Sequence, residues 1–251
     1  MLKPIATPLL CLIALLALTH GCAAPSRAES APDGPRAVFP GVTLDRTAGH
    51  VDLDATVVGR EVEWLELLAC RPGTREYESV VSVAAEAEHV QLGLLLLGLK
   101  PGRPAWAERV GDELVQHPPT GPQLELHFVV PGEDGADDRV VPASDWVVDQ
   151  EDGDVMPDNT WLFTGSRFVE HAGKRWFLAE ANGTVVSVVN FGDELVGRPT
   201  TQSEAGGNVF WTSRTDAIPP NGTEVRLRIR PAPGTTPGTT PESNPALTQS
   251  G

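Results

Sequence analysis

The sequence predicts an α+β domain, a mostly antiparallel β-sheet with one central buried helix (about 87–99) and room for a second short helix. Three observations carry this. Short segments of alternating apolar and polar residues recur along the chain, 124–130 and 224–230 being the clearest. Turn-forming Gly, Pro, Asn and Asp punctuate them. A single run, 89–99, is apolar nearly all the way round, and at about a dozen residues it falls short of the roughly 20 that a bilayer span takes. It reads as a core helix.

The chain opens on a targeting segment, 1–22. Lys3 is a minimal positive region, 9–18 is a short apolar stretch, and Thr19-His20-Gly21-Cys22 follows. This resembles a bacterial lipoprotein signal, which implies lipidation of Cys22 and an extracytoplasmic protein anchored to a membrane. His20 stands where a small or β-branched residue is usual, so ordinary cleavage near Ala23 or Ala24 is the alternative. Residues 23–35 are rich in Ala, Pro and Ser, too poor in apolar groups to fold, and read as a tether. Residues 231–251 form a Pro/Thr-rich low-complexity tail. Between them, 36–230 suffices for one domain.

Residues 42–45 and 51–58 read as the first strands. The next, 62–70, is rich in strand formers with apolar groups on both faces, as suits a strand covered on both sides. Arg71-Pro72-Gly73-Thr74 has turn chemistry. Residues 75–83 then return with period 2, placing Glu76 and Glu78 on one face. In the helix that follows, Glu86 and Glu88 favour the positive end and Lys100-Pro101-Gly102 stops it. Gly93 inside it costs about 1 kcal/mol of helix propensity, so another element should approach it closely. Beyond lie a strand at 124–130 with a partner at 139–141, and residues 143–150, which allow the second short helix. A three-stranded meander is expected over 161–170, 175–179 and 184–190, then strands at 209–212 and 224–230. In the last, Val225, Leu227 and Ile229 face inward and Arg226, Arg228 and Arg230 outward.

Several strings together resemble the bacterial YdjY-like domain. They are the apolar strand ending in Ala69-Cys70, the Pro-Gly-Thr turn, the Glu76-Tyr77-Glu78-Ser79 block, and the Leu-rich helix closing on Gly98-Leu99-Lys100-Pro101-Gly102. Later come Asp145-Trp146-Val147, Trp161 to Ser166, and Gly183 to Phe191 followed by Asp193. The family's usual pattern has His where Tyr77 stands, which weakens a metal or acid–base role there. Some relatives carry cysteine clusters for iron–sulfur centres, and this chain has none to offer. The resemblance implies architecture and location and no chemistry.

The chain has 34 acidic and 19 basic residues, a net charge of −15. Lys3 is the only charge in 1–22, so the remainder stands at −16. Such a surface disfavours nucleic acid and anionic headgroups as partners. The three cysteines are Cys11 in the apolar stretch, Cys22 and Cys70, so the domain can form no internal disulfide. Cys70, Glu76, Glu78 and His89 are the candidate functional cluster. Arg71 and Arg75 favour a Cys70 thiolate, paired carboxylates raise one pKa, and His89 completes a metal set. Against this, free cysteine is commonly a buried hydrophobe, a carboxylate pair on a strand is commonly solvated, and a histidine at a helix start is commonly satisfied by backbone. Glu66 inside its apolar strand needs Arg71 or Arg75. His127 should be exposed. The acidic loop Asp149, Glu151, Asp152 and Asp154 lacks the full calcium spacing. Asp193-Glu194 reads as a solvated turn. Trp146, Trp161, Trp176 and Trp211 pack as core or line a groove. No P-loop, dinucleotide turn, Gly-x-Ser-x-Gly, His-Glu-x-x-His or Cys-x-x-Cys occurs.

The expectation is a non-catalytic domain that needs no cofactor, is held to a membrane through its N-terminal lipid, and binds a protein or small-molecule partner. The alternative is a metal- or thiol-dependent activity centred on Cys70, Glu76, Glu78 and His89.

Overall fold

The computed structural model describes residues 34–132, 135–201 and 210–235. The signal segment 1–22 with Cys22, the tether up to residue 33, and the tail beyond residue 235 lie outside the described residues, as do 209 and its neighbours before the strand expected at 209–212. In chain order the first elements are β1 (Arg36–Phe39), β2 (Val42–Asp45), β3 (His50–Val57), β4 (Leu67–Cys70), β5 (Ser79–Val83) and helix α1 (Ala87–Leu96). A hairpin, β6 (Trp106–Val110) and β7 (Glu113–His117), precedes β8 (Gln123–Val130), β9 (Arg139–Pro142), β10 (Val147–Asp149) and β11 (Trp161–Phe163). A second hairpin, β12 (Phe168–His171) and β13 (Lys174–Phe177), leads into the short helix α2 (Leu178–Asn182). The chain continues through β14 (Thr184–Ser187), β15 (Val196–Gly197), β16 (Trp211–Ser213) and β17 (Glu224–Pro231).

The fold class corrects the α+β expectation. Eight strands close a β-barrel in the order β3–β17–β8–β11–β15–β14–β4–β5, and β5 completes the ring by pairing with β3. Pairing around the ring is antiparallel except at β14–β15 and β4–β5. An eight-stranded barrel leaves an interior that side chains fill. Leu53, Leu126, Phe128 and Leu227 are fully buried there. The alternating outer positions carry charge, with Arg228 gripping Asp52 through both oxygens at 2.7 and 2.8 Å. Strand periodicity is local, but closure rests on the contact of Ala55, Thr56 and Val57 with β5. No pattern along the chain announces that contact.

Helix α1 is not central. It packs on the flap made by β1, β2 and β3, and only Ala87, Val90, Gly93 and Leu94 are buried. Leu92, Leu95 and Leu96 remain 42, 38 and 39% exposed. A helix apolar all round does not disclose which sector meets the core, and here the strands already fill the core. The close approach expected at Gly93 is present. A Cβ there would lie 3.1 Å from Val42 Cγ1 and 3.4 Å from Val51 Cγ1. The second short helix expected at 143–150 is instead a 3-10 turn, Ala143–Trp146, followed by β10, which pairs with β16.

Three other stretches depart from expectation. The strand over 62–70 is confined to its last four residues, because Leu65 bonds out of the barrel to the Trp211 carbonyl at 2.8 Å. Residues 76–78 form a 3-10 turn and the strand begins at Ser79. Local side-chain bonds curl this stretch, with Ser79 Oγ donating to the Arg75 carbonyl at 2.7 Å. The meander dissolves as well. Gly165 and Ser166 turn the chain at positive φ after β11, β12 and β13 pair only with each other, and β14 enters the barrel. Among the described residues no helix is long and apolar enough to cross a membrane.

Candidate functional site

β4 threads the barrel between β14 and β5 and buries Cys70 completely, opposite Thr184 and Ser82. Burial pushes the Cys70 thiol up, and the nearby Glu76 charge pushes in the same direction. The neutral thiol is therefore the favoured form, the reverse of what a nucleophile needs. Glu76 accepts a hydrogen bond from Gly73 N. Glu78 is buried against Arg75, which also bonds Glu66 Oε2 at 3.0 Å. Arg75 is thus the partner that Glu66 required. Its guanidinium lies 4.1 Å from the centroid of Phe191. His89 stands elsewhere, stacked on Phe39 at 4.8 Å with Nε2 3.6 Å from Glu86.

The structure therefore brings Cys70 and Glu76 near one another, ties Glu78 into an Arg75 ion pair, and places His89 on the β1 side of α1. Among the described residues no three His, Cys, Asp or Glu side chains gather as a metal set. Two carboxylates of the acidic loop are engaged within it. Asp149 accepts from Glu151 N at 2.8 Å and Asp152 from Asp154 N at 2.9 Å. Trp146 and Trp161 are core, Trp176 is an exposed hairpin residue, and His127 is half-buried, its pKa lowered by burial.

The turn between β14 and β15, expected to be solvated, is not. Asp193 and Glu194 are buried, not solvated, at 7 and 2% exposure. Glu194 Oε2 accepts from Phe191 N at 3.2 Å and from Asp193 N at 3.1 Å. Burial pushes the Glu194 pKa up to about 7, with the Asp193 charge adding to it. Asp193 Oδ2 takes Asn182 Nδ2 at 2.5 Å, while its Oδ1 is buried without a partner. The signal was present in the apolar residues on both sides of the pair, Val188 and Val189 before and Leu195 and Val196 after.

This turn forms one wall of an open cleft of about 420 Å³. The opposite wall is the β6–β7 hairpin, which contributes Trp106, Leu114, Gln116 and His117. Asn190, Phe191 and Gly192 come from the turn, and Arg167 stands at the rim, just before β12. Trp106 is held between neighbours, with His117 stacked at 4.0 Å and the Arg103 guanidinium 4.0 Å from its ring centroid. His117 Nε2 lies 3.0 Å from Glu108 Oε1. The cleft offers aromatic surface, amide groups and a cation, which is the chemistry of recognition. Among the described residues it holds no paired nucleophile and base.

A family model described as the YdjY domain matches residues 42–230. No curated protein and no solved structure matches the chain.

Proposed function

We propose, from the premise that this chain belongs to the YdjY domain family, that it is an exported binding protein. It is held on the extracytoplasmic side of a membrane by lipid on Cys22 and recognises a small molecule without transforming it. The observation that carries the binding reading is the cleft between the β6–β7 hairpin and the 190–192 turn. Its volume of about 420 Å³ falls in the range of small-molecule sites. The treatment of charge inside the fold supports a non-catalytic reading. Arg75 is spent on Glu66 and Glu78, Arg71 on Glu180, and Arg228 on Asp52. Catalytic groups need perturbed and available protons, whereas these pairs hold structure.

The test is to incubate the protein with fractionated small molecules from the cell envelope, then measure the melting temperature and the fate of whatever binds. The expected result is a ligand that raises Tm, is recovered unchanged, and is lost on Trp106→Ala. Recovery of a converted product, absent with Cys70→Ala or Glu78→Gln, would overturn this reading in favour of chemistry at the Cys70 end of the barrel.

A further inference from the structure

We infer that the cleft beside Phe191 is an anion site, taking a small molecule that carries a carboxylate or phosphate on a ring or short apolar body. This rests on the binding reading above and names its ligand class.

The argument begins with charge. The chain carries 34 acidic and 19 basic residues, so a surface hollow is expected to be lined by carboxylates. Two other clefts among the described residues are. One is lined by Glu61 and Glu76 beside Arg60. The other, along β3 and β17, has Asp54, Asp138 and Glu224, and its Arg226 is already bonded to Asp138 at 2.6 Å. Among the described residues, the lining of the Phe191 cleft includes Arg167 and no Asp or Glu. Three carboxylates stand behind its walls, and Asp193 is bonded to Asn182 through one oxygen. Glu108 holds His117, and Glu194 holds the Phe191 amide.

Arg167 is available. Among the described residues its guanidinium makes no ion pair or hydrogen bond, while its backbone is fixed by Leu178 N donating to its carbonyl at 3.0 Å. The preceding residue is fixed as well, with Ser166 N donating to the Glu194 carbonyl at 3.0 Å and its Oγ accepting from Ala179 N at 3.0 Å. A cation on a backbone that is already ordered loses less entropy on binding. A second cation, Arg103 on the face of Trp106, has no carboxylate partner among the described residues and adds positive potential to the same wall. Arginine forks match carboxylate and phosphate oxygens. Asn190 uses its Oδ1 on Gly192 N at 3.1 Å, which turns the amide nitrogen into the free donor. Phe191, Leu114 and the edge of Trp106 offer apolar surface for the rest of the ligand.

The test titrates the full chain with phenyl phosphate, benzoate and the neutral benzyl alcohol, following the amides of Ala107, Phe191 and Gly192 by NMR. The two anions separate a phosphate from a carboxylate preference. The expected result is that at least one anion shifts these amides, benzyl alcohol does not, and Arg167→Gln weakens binding about tenfold, as loss of one charge-assisted bond predicts. Arg60→Gln, in a different cleft, should leave binding unchanged. Equal binding of benzyl alcohol, or full anion binding by Arg167→Gln, would remove the anion site and leave the binding reading standing. Silence of all three amides with every probe would remove both.

Discussion

Glu194 shows how one side chain can couple the cleft to pH. Its carboxyl sits beneath the Phe191 amide with burial as the main force on its proton, raising the pKa from the ordinary 4.5 to about 7. Between those values the folded protein keeps a proton that the unfolded chain releases, so stability falls as pH rises through the window. Below pH 4.5 both states are protonated and above 7 both are ionised, so the contribution is flat outside it. The displacement corresponds to about 3 kcal/mol across the window. His50 and His127, whose pKa values burial lowers from the ordinary 6.5, act in the opposite sense as pH falls below that value, and Asp158, held low by Arg198, does so only below its ordinary 3.8. In chemical denaturation from pH 4 to 8 the stability of the native protein relative to Glu194→Gln should therefore decline, since Gln keeps an acceptor for the Phe191 and Asp193 amides. Equal slopes in the two proteins would show that another group titrates there. This residue was poorly legible in the sequence, because adjacent acids in a Gly-containing turn ordinarily meet water. Its burial depends on α2 and the 164–166 turn folding over it, with Asn182 bonded to Asp193 and Thr164 Oγ1 donating to the Glu194 carbonyl at 2.7 Å.

Helix α1 depends on a neighbour for its start. Glu86 makes no side-chain cap, and the first helical amide, Ala87 N, donates instead to Glu180 Oε2 at 2.7 Å. Glu180 is in turn held by Arg71 Nε at 3.0 Å, and Arg71 Nη1 donates to the carbonyls of Val83, Ala84 and Ala85. One guanidinium thus joins the end of β4, the approach to α1, and α2. Glu180→Ala should cost about 2 kcal/mol, the sum of a lost cap and a lost charge-assisted bond. The same change should speed hydrogen exchange at the first turn of α1 more than in β8. Uniform acceleration across the barrel would mean that Glu180 supports the whole fold and not this helix. The helix itself was legible from its apolar run and its Lys-Pro-Gly stop, as were β2, β3, β8 and β17 from strict alternation. The 76–78 turn was not, since Glu-Tyr-Glu-Ser alternates like a strand. Nor was the placement of His89 away from Cys70, because sequence proximity between a hairpin and a helix says nothing of where the helix docks.

At the scale of the whole molecule, barrel closure and net charge bear on where the protein can reside. Closing β5 on β3 removes open edges from the ring itself, while β1 and the β6–β7 and β12–β13 hairpins lie outside it with edges of their own, and β9 pairs with β8 and ends at Pro142, which blunts it. Among the described residues, only strands outside the ring leave this domain an edge to offer a partner. Its charge of −16 after residue 22 repels anionic headgroups. Surface electrostatics therefore disfavours membrane residence, and the proposed lipid on Cys22 becomes the attachment that matters. That separates two outcomes. If lipid holds the protein, it should stay with membranes through high-salt washing, which screens charge over about 3 Å at 1 M, and Cys22→Ser should move it to the soluble extracytoplasmic fraction. If the segment 1–22 is simply cleaved near Ala23 or Ala24, the native protein should already be soluble and Cys22→Ser should change nothing. Release of the native protein by salt alone would instead show attachment through a basic partner on the acidic surface of the barrel. Those same charges would then be doing the binding that the proposal gives to the cleft.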